Sequence, residues 1–100
     1  MLPNNIYEMI KRLLDMTVAG NLSWDFDYVR DRISTKLTHF DVEIMYQFEP
    51  DEGIGYFYID YYDKESSQWH RFSTNYLYND YNTVKRLYDE AQATKLNIRF

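Results

Sequence analysis

The stretch that decides the fold is residues 40–63, FDVEIMYQFEPDEGIGYFYIDYYD. Apolar and polar residues alternate with period two across residues 40–48, and a second alternating run covers residues 56–62. Period two is typical of a strand that buries one face. Residues 49–53 lie between the two runs and supply turn chemistry, because proline fixes φ and glycine can adopt positive φ. The stretch therefore predicts an antiparallel hairpin with long strands.

The register of this hairpin can be predicted from charge. With a six-residue loop, Glu43 lies directly opposite Asp60, and like charges in that position destabilise a sheet. With a four-residue loop over residues 51–54, Glu43 lies opposite Tyr62 and Met45 lies opposite Asp60. We predict the shorter loop.

Two helices flank the hairpin in the sequence. A first helix is predicted over residues 5–19, since its apolar residues follow the i, i+3, i+4 spacing and Gly20 is placed to end it. Asn4 or Asn5 can cap its start. A second helix is predicted over residues 80–94, where several Asn and Asp residues offer N-caps.

Shorter patterns predict strands on both sides of the hairpin. One strand begins at Ile33, and another covers residues 69–74. Residues 21–31 predict either a short strand or an extended arm, and residues 96–100 predict a short C-terminal edge strand. Together these elements predict an α+β fold, in which a three- to four-stranded antiparallel meander lies between two helices that share one face of the sheet.

Length and composition restrict the class of protein. One hundred residues suit a single domain, and the absence of cysteine excludes disulfides and thiolate metal sites. A cysteine-free chain with no basic leader and no run of ~18 apolar residues is expected in the cytoplasm and not in a membrane. The net charge of −5 argues against nucleic acid as a partner, because phosphate contacts need a cationic surface.

No residue pattern indicates catalysis or metal binding. The two histidines, His39 and His70, lie in different predicted segments and match no zinc spacing. The acids that follow Trp24 lack the central glycine of a calcium loop. Residues 53–55 (GIG) lie in a hairpin turn and not between a strand and a helix, so they form no phosphate loop. We expect a non-enzymatic protein with no metal or cofactor.

The hairpin is also the candidate binding surface. Its outer face carries tyrosines among carboxylates, and no Lys or Arg occurs between Lys36 and Lys64. Tyrosine brings a large contact area at a small entropic cost, and an acidic field steers a basic partner. We predict that these residues bind a basic protein surface. The candidate partner-binding residues are Glu43, Met45, Asp51, Glu52, Tyr56, Tyr58, Asp60 and Tyr62.

Other interpretations of the aromatic residues stay open. The outer tyrosines can serve only to stabilise the sheet through cross-strand pairs, and residues 21–31 can cover the same face. A homodimer can pair through that tyrosine face. An aromatic small-ligand pocket can form from Trp69, Tyr76, Tyr78 and Tyr81.

In size, acidity and α+β layout, the chain is similar in kind to bacterial immunity proteins and to phage-encoded inhibitors of host enzymes. The likeness lies in composition and layout, and it implies by analogy a module that masks or inhibits a basic partner. In that interpretation the hairpin tyrosines anchor the partner, while Glu43 and Asp60 contribute specificity and association rate.

Overall fold

The computed structural model describes residues 1–96 and 98–100 and contains two helices and five strands. All five strands form one antiparallel sheet in chain order, so each strand pairs with its neighbours in sequence. The predicted α+β class is confirmed, with five strands instead of three or four. The elements are α1 (Asn4–Val18), β1 (Asp25–Asp27), β2 (Arg32–Lys36), β3 (Phe40–Glu49), β4 (Ile54–Asp63), β5 (Gln68–Asn75) and α2 (Tyr81–Ala93).

Helix α1 forms where the apolar spacing predicts it and ends where Gly20 allows. The Gly20 N–H donates to the Thr17 carbonyl and the Asn21 N–H donates to the Met16 carbonyl, while Gly20 adopts a φ of 80°. This is a Schellman motif, in which glycine tolerates the left-handed conformation. Pro3 occupies the N-cap position and makes no side-chain cap, while Asn5 Oδ1 accepts the Ile6 N–H at 2.9 Å in the first turn. The helix buries Ile6, Ile10, Leu13, Leu14 and Thr17.

The additional strand comes from the segment 21–31. Residues 25–27 form β1, which pairs with β2 at one edge of the sheet. Trp24 is only 2% exposed and donates its indole N–H to the Thr17 hydroxyl at 2.9 Å, so the segment packs on the helix side of the sheet. The predicted C-terminal edge strand does not form at Leu96 or at residues 98–100, and its remaining residue, Asn97, lies outside the described residues.

One core fills the space between the sheet and the two helices. The inward residues of the central strands are those that alternate with the tyrosines and acids, for example Ile44 on β3 and Ile59 on β4. Both helices contribute their buried residues to this same cluster, which confirms that they share one face. The buried apolar side chains of the strands and of α2 are Ile33, Val42, Ile44, Phe57, Ile59, Val84, Leu87, Tyr88 and Ala91.

The predicted register of the β3–β4 hairpin is wrong by two residues. Glu43 lies directly opposite Asp60, and the connecting residues are 50–53 instead of 51–54. The outer strands explain why this register is tolerated. Arg32 from β2 lies 3.2 Å from the Glu43 carboxylate, and Arg71 from β5 binds both oxygens of Asp60. Each acid therefore has its own cation, and the repulsion considered within the hairpin alone is offset.

Candidate protein-contact surface

The sheet has one face turned away from both helices, which we call the open face. It consists of the residues of each strand that alternate with the core positions. Both helices and Trp24 lie on the opposite side, so no helix of the described residues covers it. Tyr28, at the end of the segment 21–31, is 83% exposed and contacts the ring of Phe26. The segment that the sequence left as a potential cover therefore packs elsewhere.

An aromatic band runs along the open face on β4 and β5, and we define it as Tyr56, Tyr58, Tyr62 and Trp69. The Tyr56 and Tyr58 rings stack with centroids 6.0 Å apart. Tyr62 and Trp69 are direct cross-strand partners with ring centroids 4.9 Å apart. Trp69 is 53% exposed, whereas the three tyrosines are half-buried. Met45 lies opposite Tyr58 and extends the apolar surface onto β3.

The two acids beside the aromatic band, Glu43 and Asp60, are paired with arginines of the same sheet. Arg71 donates to both Asp60 oxygens at 2.7 and 2.9 Å, and its guanidinium carbon lies 5.1 Å from the centre of the Tyr58 ring. Hydrogen bonding to Asp60 raises the pKa of Arg71, so the cation is retained at every physiological pH. Glu43 pairs with Arg32, which lies opposite Met45 and therefore reaches Glu43 diagonally across β2 and β3. Glu43 and Asp60 therefore order the surface and present less free negative charge than the sequence suggested.

Negative charge without a cationic partner lies instead at the β3–β4 turn. No salt bridge of the described residues reaches Glu49, Asp51 or Glu52. Glu52 accepts a hydrogen bond from the Tyr56 hydroxyl at 2.5 Å, which together with partial desolvation raises the pKa of Tyr56 to about 12. The turn is held by a hydrogen bond of 2.8 Å from the Gly53 N–H to the Glu49 carbonyl. An acidic turn thus borders one end of the aromatic band.

The opposite end of the band carries a third ion pair. Lys64, just after β4, lies 3.3 Å from an Asp41 oxygen and donates a hydrogen bond of 2.6 Å to the Leu37 carbonyl. That Asp41 oxygen is buried and accepts no hydrogen bond of good geometry, so its contact with Lys64 is ionic. Tyr62 lies directly opposite Asp41, which places this pair beside the Tyr62–Trp69 contact.

The structure does not bring together the four residues of the alternative ligand pocket. Trp69 lies near the start of β5, while Tyr76 and Tyr78 follow its end, about 20 Å away at the usual rise per strand residue. Tyr81 packs against Phe57 on the helix side, with ring centroids 5.2 Å apart. Burial raises the pKa of Tyr81, as expected for a ring in the core.

Tyr78 does line a groove of about 610 Å³ beside the N-terminal residues. Asp80 also lines this groove, and its carboxylate accepts hydrogen bonds from the Leu2 N–H at 2.7 Å and from the Thr74 hydroxyl. Because both oxygens are engaged, Asp80 ties the N-terminal segment to β5 and does not aim a bare charge into the groove. The other lining residues include Pro3, Tyr7 and Leu77.

Sequence reasoning missed three residues of the open face: Trp69, Arg71 and Arg32. The four-residue connection after Asp63 contained the signal for the first two, because a hairpin closed at Asp63 and Gln68 sets Trp69 beside Tyr62 and Arg71 beside Asp60. No such signal pointed to Arg32, because the strand pattern in the sequence begins only at Ile33 and leaves Arg32 outside the predicted strand.

Residues 1–96 and 98–100 contain no cluster of three or more His, Asp or Glu suited to a metal ion. Neither helix in this range is long and apolar enough to cross a membrane. Comparisons of the chain with protein-family models, with curated proteins and with solved structures gave no match.

Proposed function

We propose that this protein is a non-enzymatic binding module that uses its open face to mask or inhibit a basic protein partner. The observation that carries the proposal is an aromatic band on a sheet face that no helix of the described residues covers. A sheet that serves only as a scaffold has no need for four large aromatic side chains on its solvent side, and interface centres are enriched in tyrosine and tryptophan.

The paired acids have a definite role in this proposal. Arg71 is held by Asp60 and lies over Tyr58, so the ring and the cation are ordered before a partner arrives. Ordering side chains in advance lowers the entropic cost of binding. Tyr58 and Trp69 then act as anchors that lose their remaining water on association.

The acidic turn is the part of the surface that attracts a basic partner. Glu49, Asp51 and Glu52 have no cation partner among the described residues, and the whole chain carries a net charge of −5. Such a field raises the rate of association with a cationic surface and acts less on the lifetime of the complex. We place this function in the cytoplasm, because a cysteine-free chain suits a reducing compartment.

The experiment that tests the proposal is affinity capture from the source cells with the tagged protein and two single variants, Tyr58→Ala and Tyr28→Ala. Tyr28 is a matched control, because it is a highly exposed tyrosine at the end of the 21–31 segment and not part of the aromatic band. We expect a basic protein to be captured by the unchanged chain and by Tyr28→Ala. Its affinity for Tyr58→Ala should fall by about thirtyfold, equivalent to about 2 kcal/mol.

Thermal melts of all three proteins accompany the capture, because a binding loss is informative only if the fold survives. Equal capture by the Tyr28→Ala and Tyr58→Ala variants, with equal melting temperatures, contradicts the proposal. Failure of all three proteins to retain any partner at low salt contradicts it as well.

A second candidate function uses the groove beside the N-terminal residues. Its volume of about 610 Å³ falls within the range of small-molecule sites, and Tyr7, Leu77 and Tyr78 give it an apolar lining. A small-ligand binder predicts a metabolite that raises the melting temperature of the unchanged protein and loses this effect with Tyr78→Ala. The Tyr58→Ala variant, changed on the other side of the sheet, should keep the effect.

A further inference from the structure

Strand β5 is an unprotected edge of the sheet. It has eight residues, it is the outermost strand, and it pairs with β4 alone. Among the described residues, no hydrogen bond from outside the β4–β5 ladder reaches the backbone of residues 68–74. An outer strand keeps about half of its backbone N–H and C=O groups pointing away from the sheet, where another strand can bind them.

The two edges of the sheet differ in the features that prevent pairing with another strand. Strand β1 has three residues, two of them Asp, and Asp25 is bound by Lys95 from beyond α2. Short edges and charged side chains discourage strand pairing. Strand β5 contains no proline, no glycine and no carboxylate, and its one full charge, Arg71, is drawn back onto Asp60. No carboxylate of β5 itself therefore faces an incoming strand.

We propose that β5 is a homodimerisation edge, at which two copies pair their β5 strands antiparallel about a two-fold axis through Phe72. The two five-stranded sheets then become one continuous sheet. This inference does not rest on the proposed function, because it uses the backbone of the edge and not the aromatic band.

The register follows from which residues face each other. Facing side chains of an antiparallel pair lie on the same side of the sheet. In a symmetric pair of β5 strands, the two-fold axis must therefore lie between the two copies of one residue, so that this residue faces itself. A dyad at Arg71 sets two guanidinium groups side by side, which is unfavourable. A dyad at His70 aligns only residues 68–72 of the strand. A dyad at Phe72 aligns residues 69–75, of which Asn75 already gives its carbonyl to the Tyr78 N–H, and sets Arg71 opposite Ser73 of the second copy.

The surroundings of Phe72 favour the same axis. Its half-buried ring lies on the helix side of β5, in an apolar groove of about 400 Å³ that also contains Ile6, Met9 and Tyr61. A second Phe72 across the dyad meets this groove and covers apolar surface that is otherwise wet. Phe72 and its surroundings thus supply a side-chain contact at the centre of a backbone-paired interface.

Sedimentation equilibrium of the full chain over a wide concentration range tests the proposal. We expect a reversible monomer–dimer equilibrium. Ser73→Lys, which sets an ammonium opposite Arg71 of the second copy at two symmetric places, should weaken the dimer by about tenfold or more. Ser73→Glu, which sets a carboxylate there, should strengthen it. Ser73 is exposed, so both variants should retain the fold.

Gln68→Lys is the matched control, since it adds the same charge to the same strand outside the aligned residues 69–75. It should leave the dimer constant nearly unchanged. Hydrogen exchange supplies an independent signal, because amides of β5 should gain protection as the protein concentration rises. A protein that remains monomeric up to millimolar concentration overturns the inference and leaves the edge to a strand from another protein. A dimer that tolerates Ser73→Lys but is lost with Tyr58→Ala also overturns it, in favour of pairing through the open face.

Discussion

The Tyr56 hydroxyl and the Glu52 carboxylate form the closest side-chain contact between the acidic turn and the aromatic band, at 2.5 Å. Hydrogen bonding to Glu52, followed by desolvation, raises the pKa of Tyr56 from 10.0 to about 12. Because the folded pKa lies above the unfolded value, the stability that this contact contributes is fully present below pH 10.0 and is lost as pH rises through about 12.

We predict that Glu52→Gln lowers the pKa of Tyr56 toward 10.0, because it removes the charged acceptor that is the largest cause of the shift. Ring resonances of labelled tyrosine followed by NMR against pH measure this, with Tyr56→Phe to assign the signal. Asp51→Asn is the control, since Asp51 is not among the groups that raise the pKa of Tyr56. It should leave that pKa near 12. An unaltered Tyr56 titration in Glu52→Gln would show that the contact is absent in solution.

Gly55 is required by a neighbouring ring and not by its own backbone angles. A Cβ at this position would lie 2.8 Å from Cε2 of Tyr46, closer than real Cβ contacts. We predict that Gly55→Ala lowers the free energy of unfolding by about 1–3 kcal/mol, the usual cost of overpacking. Denaturant unfolding of the double-mutant cycle with Tyr46→Ala measures the coupling. The alanine should cost much less once the Tyr46 ring is removed, and strictly additive losses would contradict this explanation.

At the scale of elements, the ion pairs Arg32–Glu43 and Arg71–Asp60 favour the register of the central hairpin. Asp60 is 18% exposed and lies beside Glu43, so loss of its arginine leaves two carboxylates facing each other in a partly buried position. We predict that Arg71→Gln destabilises the fold by about 1 kcal/mol, at the upper end for exposed ion pairs. Chemical denaturation at neutral pH measures this loss.

The control for this prediction is Lys85→Gln, which breaks the exposed i, i+4 pair with Asp89 on α2. Its cost should be only about 0.3–0.5 kcal/mol. In an Asp60→Asn background the Arg71→Gln change should become nearly neutral, because the repulsion with Glu43 has gone. If Arg71→Gln costs no more than Lys85→Gln, the arginines do not explain the register.

The sequence was sufficient for both helices and for the faces of the central strands, but not for the number of strands or for their alignment. Period-two alternation reports which side chains share a face, and β3 and β4 obey it from Phe40 to Tyr62. Register depends on all neighbouring strands, and the hairpin alone contains neither Arg32 nor Arg71. The burial of Trp24 against Thr17 of α1 depends on a contact that strand periodicity does not encode.

The candidate surface was predicted in part for the same reason. The outward positions of Tyr56, Tyr58 and Tyr62 follow from alternation, and their role in binding stays a prediction. Trp69 was assigned to a different cluster because its neighbours in sequence, not in space, were compared. The pairing across β4 and β5 sets it against Tyr62.

At the scale of the whole molecule, charge and aromatic surface are separated. The acids beside the aromatic band, Glu43 and Asp60, are paired with Arg32 and Arg71, and the unpaired acidic turn lies at the border of the band. We predict that Asp51→Asn lowers the association rate with the captured partner by about two- to threefold and barely changes the dissociation rate. Stopped-flow or surface-based kinetics at two salt concentrations measures both rates.

Salt concentration provides the control for this prediction, because dissolved ions screen charges beyond a Debye length of about 8 Å at physiological salt. The difference between Asp51→Asn and the unchanged chain should shrink as salt rises. A variant that changes only the dissociation rate would mean that Asp51 contacts the partner directly and does not act through steering.

Hydroxyl-radical footprinting of the protein, free and bound to the captured partner, tests the central claim most directly, because it reports the solvent exposure of individual side chains. The account predicts that oxidation of Trp69, Tyr58 and Met45 falls strongly in the complex, while oxidation of the exposed control residues Tyr28 and Val18 is unchanged. Protection of Tyr28 or Val18, with Trp69 still oxidised as in the free protein, would contradict the claim that the open face is the contact surface.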